Sequence, residues 1–199
     1  MLLNRPGLRA SVVSAMFALS VAIPAVAQNA ATVSAPRIRI DNFGKINANY
    51  YRGAQPKGRD YADLAALGVK TVIDLTDDDG EASEPSMVKS AGMQSIKIPM
   101  NGHVPPTPAQ LAQFLKIVND PASQPVYVHC VGGKHRTGVM TAAYRMVNEG
   151  WPSDRAFSEM KQYKFGADFL HPEFKRFVYS YKPEPKGSVP TVVALTTQP

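Results

Sequence analysis

Cys130 is the only cysteine of this 199-residue chain. His129 precedes it, and Arg136, Thr137 and Gly138 follow after five intervening residues, Val131, Gly132, Gly133, Lys134 and His135. A thiol becomes a nucleophile as the thiolate, and a helix N-terminus or nearby cations favour that form. An arginine offers a planar fork that matches two oxygens of a phosphate. The apolar run Val126 to Val128 leads into this stretch and a helix-periodic segment from Val139 to Val147 leads out of it, which places the ten residues at a strand-to-helix turn. Backbone amides of such a turn converge on an anion, the helix dipole points the same way, and glycines allow close approach. Nucleophile and phosphate clamp therefore share one loop. A nucleotide P-loop is excluded because Gly133-Lys134 is followed by His135 where Ser or Thr would hold magnesium. One cysteine and four scattered histidines give none of the paired spacings of a zinc site, so no metal or other cofactor is expected.

The sequence His-Cys-x5-Arg-Thr-Gly resembles the signature loop of cysteine-dependent protein tyrosine and dual-specificity phosphatases. The stretch Tyr50-Tyr51-Arg52-Gly53-Ala54-Gln55-Pro56 resembles the opening motif of the atypical plant and fungal members, which act on inositol pyrophosphates. The likeness spans about residues 38 to 180. It implies that Cys130 attacks phosphorus to form a phosphocysteine, and that Arg136 and the amides from Val131 to Arg136 hold the phosphate. Thr137 would then stabilise the departing thiolate. The same resemblance implies an Asp general acid about thirty residues before the cysteine, and here the chain departs, because no Asp or Glu occurs between Pro85 and Asn119. His103 lies in the corresponding loop. Asp77, Asp78 and Asp79 after an apolar strand, and Asp168 before the last helix, are other candidates; a leaving group of low basicity would need little help. Arg52 is expected to brace its turn or to reach a phosphate. His129 steadies the loop or fills the core. Lys134 and His135 suit a polyanion or form a solvated rim.

The elements that must position these residues follow from periodicity. Strands are expected near residues 37–40, 43–51, 69–75, 95–98 and 126–128. Helices are expected at 60–67, after Ser83, from Thr107 to about Val118, after the signature loop, after Ser153 and after His171. Alternating strands and helices predict an α/β fold, a central mostly parallel sheet of four to five strands flanked by helices, with the signature loop between a core strand and a helix.

Residues 1–27 read as a cleavable secretory signal: Arg5 and Arg9, an apolar run from Ala10 to Ile23, and Ala25-Val26-Ala27 before Gln28. A flexible leader at 28–36, a single domain at 37–182 and a loose tail at 183–199 complete the expected organisation. No stable membrane span is expected after cleavage, and the protein is expected to be secreted or periplasmic and monomeric. A lone cysteine in an exported chain has no partner within it, which favours reactivity over a structural bridge. Removing the two signal arginines from a net charge of +6 leaves about +4, a balance that suits anionic substrates. No basic block interleaved with aromatics marks a nucleic-acid surface.

The resulting expectation is a phosphatase of phosphate monoesters, either on phosphorylated protein or on a small phosphorylated metabolite. Three alternatives stay open: a phosphatase of inositol phosphates or pyrophosphates, a pseudophosphatase that binds phosphorylated ligands without turnover, and a rhodanese-like sulfurtransferase.

Overall fold

The structure, a computed structural model, describes residues 37–77 and 79–183. The expected signal and leader, Asp78 and all but the first residue of the expected tail lie outside the described residues. Among the described residues five strands form one sheet: β1 (Gly44–Asn47), β2 (Tyr50–Ala54), β3 (Thr71–Asp74), β4 (Gln94–Lys97) and β5 (Val126–Cys130), in the order β1-β2-β5-β3-β4. Only β1 runs antiparallel, as the edge partner of β2 in the hairpin expected there. β5 therefore lies between β2 and β3 and pairs in parallel with both. Its carboxyl end opens into the crevice where parallel sheets place ligands.

Among the described residues six helices cover the sheet: α1 (Asp60–Ala66), α2 (Glu84–Ser90), α3 (Pro108–Val118), α4 (Arg136–Glu149), α5 (Ser153–Gln162) and α6 (Pro172–Ser180). Strand alternation assigns them to faces. Val126, Val128 and Cys130 point into a core shared with residues of α3, α4, α5 and α6, whereas Tyr127 joins Tyr61, Leu64 and Val88 of α1 and α2 on the other face. The same alternation turns His129 toward α2, away from its neighbour Cys130.

Local chemistry sets the helix starts. Thr107 and Gln110 form the expected reciprocal capping box on α3. Ser83 does not cap α2, because its hydroxyl bonds Glu81 at 2.7 Å instead. Ser153 is the first helical residue of α5 and Pro152 occupies the capping position, one residue earlier than the sequence suggested. α4 is tied to α5 by Arg145, whose Nη2 lies 2.7 Å from Oε1 of Glu159. No helix among the described residues is long and apolar enough to cross a membrane.

Candidate active site

The parallel register of β2 and β5 sets Arg52 beside Val128, Gly53 beside His129 and Ala54 beside Cys130, so the two motifs picked out in the sequence are neighbours in space. Arg52 does not reach outward to a phosphate. It is wholly buried, donates to the Gly133 carbonyl and stacks its guanidinium 4.0 Å from the Tyr163 ring centroid. Its task is to brace the signature loop from beneath. Asn42 latches the same loop from the side, donating to the carbonyls of Gly133 at 2.7 Å and Tyr163 at 2.9 Å.

Gly133 shows how closely the loop is held. Its φ is +62°, and a Cβ there would lie 2.4 Å from the Gly53 carbonyl. Only glycine satisfies both the left-handed backbone and that approach. The amides from Gly132 to His135 donate to no backbone carbonyl among the described residues, which leaves them available to another acceptor. α4 begins at Arg136 and aims its N-terminus at the same point.

Cys130, Val131, Gly132, Lys134, His135 and Arg136 line a cavity of about 310 Å³, which is also walled by Asp79, Gly102, His103 and His171. Cys130 is buried at the end of β5. Thr137 is buried too, and its Oγ1 has no hydrogen-bond partner among the described residues. That hydroxyl remains available to a neighbouring group, the role the resemblance gives it.

Among the candidate proton donors, Asp79 has the most definite geometry. Its two oxygens accept a bidentate pair from Arg136, at 2.9 Å from Nη1 and 2.6 Å from Nη2. Arg136 Nη1 also donates to the Met100 carbonyl at 3.2 Å. The hydrogen bonds from Arg136 hold the Asp79 carboxyl down at about 2, against the smaller opposing effect of its desolvation. In this arrangement Asp79 is an anion at neutral pH, occupying the fork that a phosphate would use, and it has no proton to give. Burial disfavours charge on Arg136, but Asp79 and Cys130 outweigh it and the guanidinium is held more firmly protonated than usual. Asp168, another candidate, is not among the cavity-lining residues, and its oxygens are taken by Lys161 at 2.6 Å and Lys175 at 2.8 Å. Asp77 is exposed.

His103 does line the cavity, and two residues the sequence reading did not connect to it stand alongside. The His103 ring stacks on His171 with centroids 5.1 Å apart, and His171 lies 3.7 Å from His135. Glu173 Oε1 is 3.2 Å from His171 Nδ1 and 3.9 Å from His103 Nδ1. Burial holds the His135 imidazole below its ordinary value, and its Nε2 is 2.9 Å from the Phe165 carbonyl. No spacing rule links residue 103 to residues 171 and 173; the docking of α6 against α4 brings them together.

Behind the loop, His129 Nε2 lies 3.0 Å from Glu84 Oε1 with both side chains buried, though the contact is not aligned as a hydrogen bond. Tyr61 donates to the same Glu84 oxygen at 3.3 Å. Asp74, Glu84 and His129 bring donor atoms within 4.8 Å of one another. Lys97 Nζ already supplies a cation there, 3.1 Å from Asp74 Oδ2.

A family model described as "DSP-PTPase phosphatase fused to NAD+ Kinase" matches residues 27–175. The inositol diphosphatase SIW14 of Saccharomyces cerevisiae is 28% identical over 130 residues, covering 63% of this chain and 46% of its own length. The dual specificity protein phosphatase TpbA of Pseudomonas aeruginosa is 30% identical over 125 residues, covering 63% of this chain and 56% of its own. The chain thus spans about half the length of these curated relatives. The crystal structure of the SIW14 catalytic domain with citrate superposes with a TM-score of 0.64 at 26% identity, over 73% of this chain and 88% of that one. A cysteine-to-serine variant of TpbA in complex with phosphotyrosine superposes with a TM-score of 0.60 at 27% identity, over 70% and 83%. With the family model spanning three-quarters of the sequence, and with Cys130, the amide loop and Arg136 around one cavity, the chain belongs to the cysteine-dependent atypical dual-specificity phosphatases.

Proposed function

We propose that this chain is a phosphatase that transfers a phosphoryl group from its substrate to Cys130 and then to water. The supporting observation is the cavity in which the buried Cys130, the unspent amides of Gly132 to His135 and the Arg136 guanidinium converge. As the Cys130 Sγ–P bond forms, the P–O bond to the leaving group breaks. The amides and Arg136 then carry the charge on the equatorial oxygens. Water attacks the phosphocysteine in the second step, and the free Thr137 hydroxyl stabilises the returning thiolate. Steady turnover of p-nitrophenyl phosphate tests this reading. Stoichiometric binding of phosphate without turnover would instead identify a pseudophosphatase, and sulfur transfer to cyanide a sulfurtransferase.

One observation favours small, phosphate-rich substrates over phosphoprotein. A second cavity of about 370 Å³ shares Val131, Gly132 and Lys134 with the first and carries Arg39, Lys57, Lys134 and Lys164 against Asp41 and Asp60. A substrate with one phosphate over Cys130 and others on that wall, as an inositol pyrophosphate has, would gain cationic contacts that a phosphotyrosine side chain does not reach. A panel of phosphotyrosine peptides, inositol phosphates and inositol pyrophosphates separates the two by kcat/KM.

We place the reaction in the periplasm or outside the cell, on the strength of the signal-like residues 1–27. Intact-mass measurement of the mature protein is expected to give a chain beginning at Gln28. A chain retaining Met1 in the cytoplasm would overturn the localisation.

A further inference from the structure

We infer that the proton for the leaving group comes from His103, and that Glu173 of α6 is the positioning residue that holds its ring at the cavity. The inference rests on the phosphatase reading above. It begins from a gap: the segment where the family carries an acidic residue has none, Asp79 is deprotonated on Arg136, and Asp168 is engaged by two lysines outside the cavity. His103 is the remaining candidate donor that lines the cavity with Cys130 and is free of such engagement among the described residues.

Its surroundings fit the task. The loop that carries His103 is fixed by an internal bond, in which the His103 amide donates to Asn101 Oδ1 at 2.9 Å. The ring is largely exposed, at 76%, which leaves room beside it for a leaving group and then for the attacking water. Facing it from α6 are His171, stacked at 5.1 Å, and Glu173, 3.9 Å away. From the signature loop come His135, Lys134 and Arg136, and from the loop after β3 comes Asp79. Burial disfavours a charge on His135 in the same column of rings.

The step balances. The electron pair of the Cys130 thiolate forms the S–P bond, the P–O pair leaves with the departing oxygen, and that oxygen takes the proton from the His103 ring nitrogen. His103 is left neutral. In the second step it accepts a proton from the attacking water, which restores the starting state. Glu173 touches neither phosphorus nor the leaving group and acts only through His103.

The test compares leaving groups in the intact protein. For an alkyl ester such as glycerol phosphate, His103→Ala is expected to lower kcat/KM, which reports the step in which the leaving group departs, by roughly 10²- to 10⁴-fold, the usual worth of a general acid. For p-nitrophenyl phosphate, whose leaving group needs little protonation, the loss in kcat/KM should stay below about tenfold. Glu173→Gln is expected to reproduce the split on a smaller scale, lowering kcat/KM for the alkyl ester and sparing the nitrophenyl ester; Glu173→Asp should restore part of the loss. A purely structural Glu173 would depress both substrates alike, and that outcome overturns its role. Equal losses for both esters in His103→Ala would overturn the donor itself. A wild-type protein inert on every phosphate ester would overturn the phosphatase reading together with this one, whereas normal nitrophenyl hydrolysis with no His103 effect would overturn this one alone.

Discussion

Replacing Cys130 by serine is expected to lower turnover by on the order of 10⁴-fold or more, because an alcohol in that position is neither ionised nor a comparable nucleophile. Binding of inorganic phosphate or vanadate should persist in the same variant. The amides from Gly132 to His135 and the Arg136 fork do not depend on the thiol, and Gly133 keeps the loop in place through its approach to Gly53. Rapid acid quench of the wild type during turnover should trap phosphate on the Cys130-containing peptide, detectable by mass spectrometry. Undiminished turnover in Cys130→Ser would remove the central claim, and phosphate trapped on another residue would relocate the nucleophile.

Arg136→Lys is expected to cost roughly 10² to 10⁴ in kcat/KM. A lysine places one point charge where the transition state presents two equatorial oxygens to a planar fork. The structure adds a complication the bare motif does not contain, since that fork is occupied by the Asp79 carboxylate at 2.6 and 2.9 Å. A phosphate must displace it. The Asp79 side chain is 45% exposed, so solvent screens the pair and its worth is at most about 1 kcal/mol. Asp79→Ala should accordingly lower KM by no more than roughly fivefold and leave kcat for p-nitrophenyl phosphate unchanged. The two variants move in opposite directions, which separates loss of the clamp from loss of its occupant. Near-normal kinetics in Arg136→Lys would mean that the guanidinium serves Asp79 and Met100 rather than substrate. A large fall in kcat for Asp79→Ala would mean that Asp79 takes part in the chemistry after displacement.

What the sequence determined by itself was carried within short spans of chain, though not at every helix start, since Ser83 does not cap α2 and Pro152 takes the capping position before α5. The Cys130-to-Arg136 spacing lies within one strand-to-helix turn, so backbone geometry alone brings the thiol, the loop amides and the guanidinium together. The capping box at Thr107 and Gln110 is a matter of four consecutive residues, and it formed as written. The hydrophobic runs gave the parallel sheet because buried strands have nowhere else to place apolar side chains on both faces. Tertiary structure decided whatever depends on elements far apart in the chain. Arg52 reads equally as phosphate ligand or brace until β2 pairs with β5 and buries it beneath the Gly133 carbonyl. His129 meets Glu84 because strand alternation turns it toward α2, and no local pattern states which helix will be there. Asp79 was one of three adjacent acids until the loop after β3 laid it on Arg136. His103 acquired Glu173 and His171 only through the packing of α6 against α4. Those contacts are long-range, and each side chain involved also satisfies an ordinary surface or loop role, so their partnership is fixed by the docking of helices and not by the residues' own propensities.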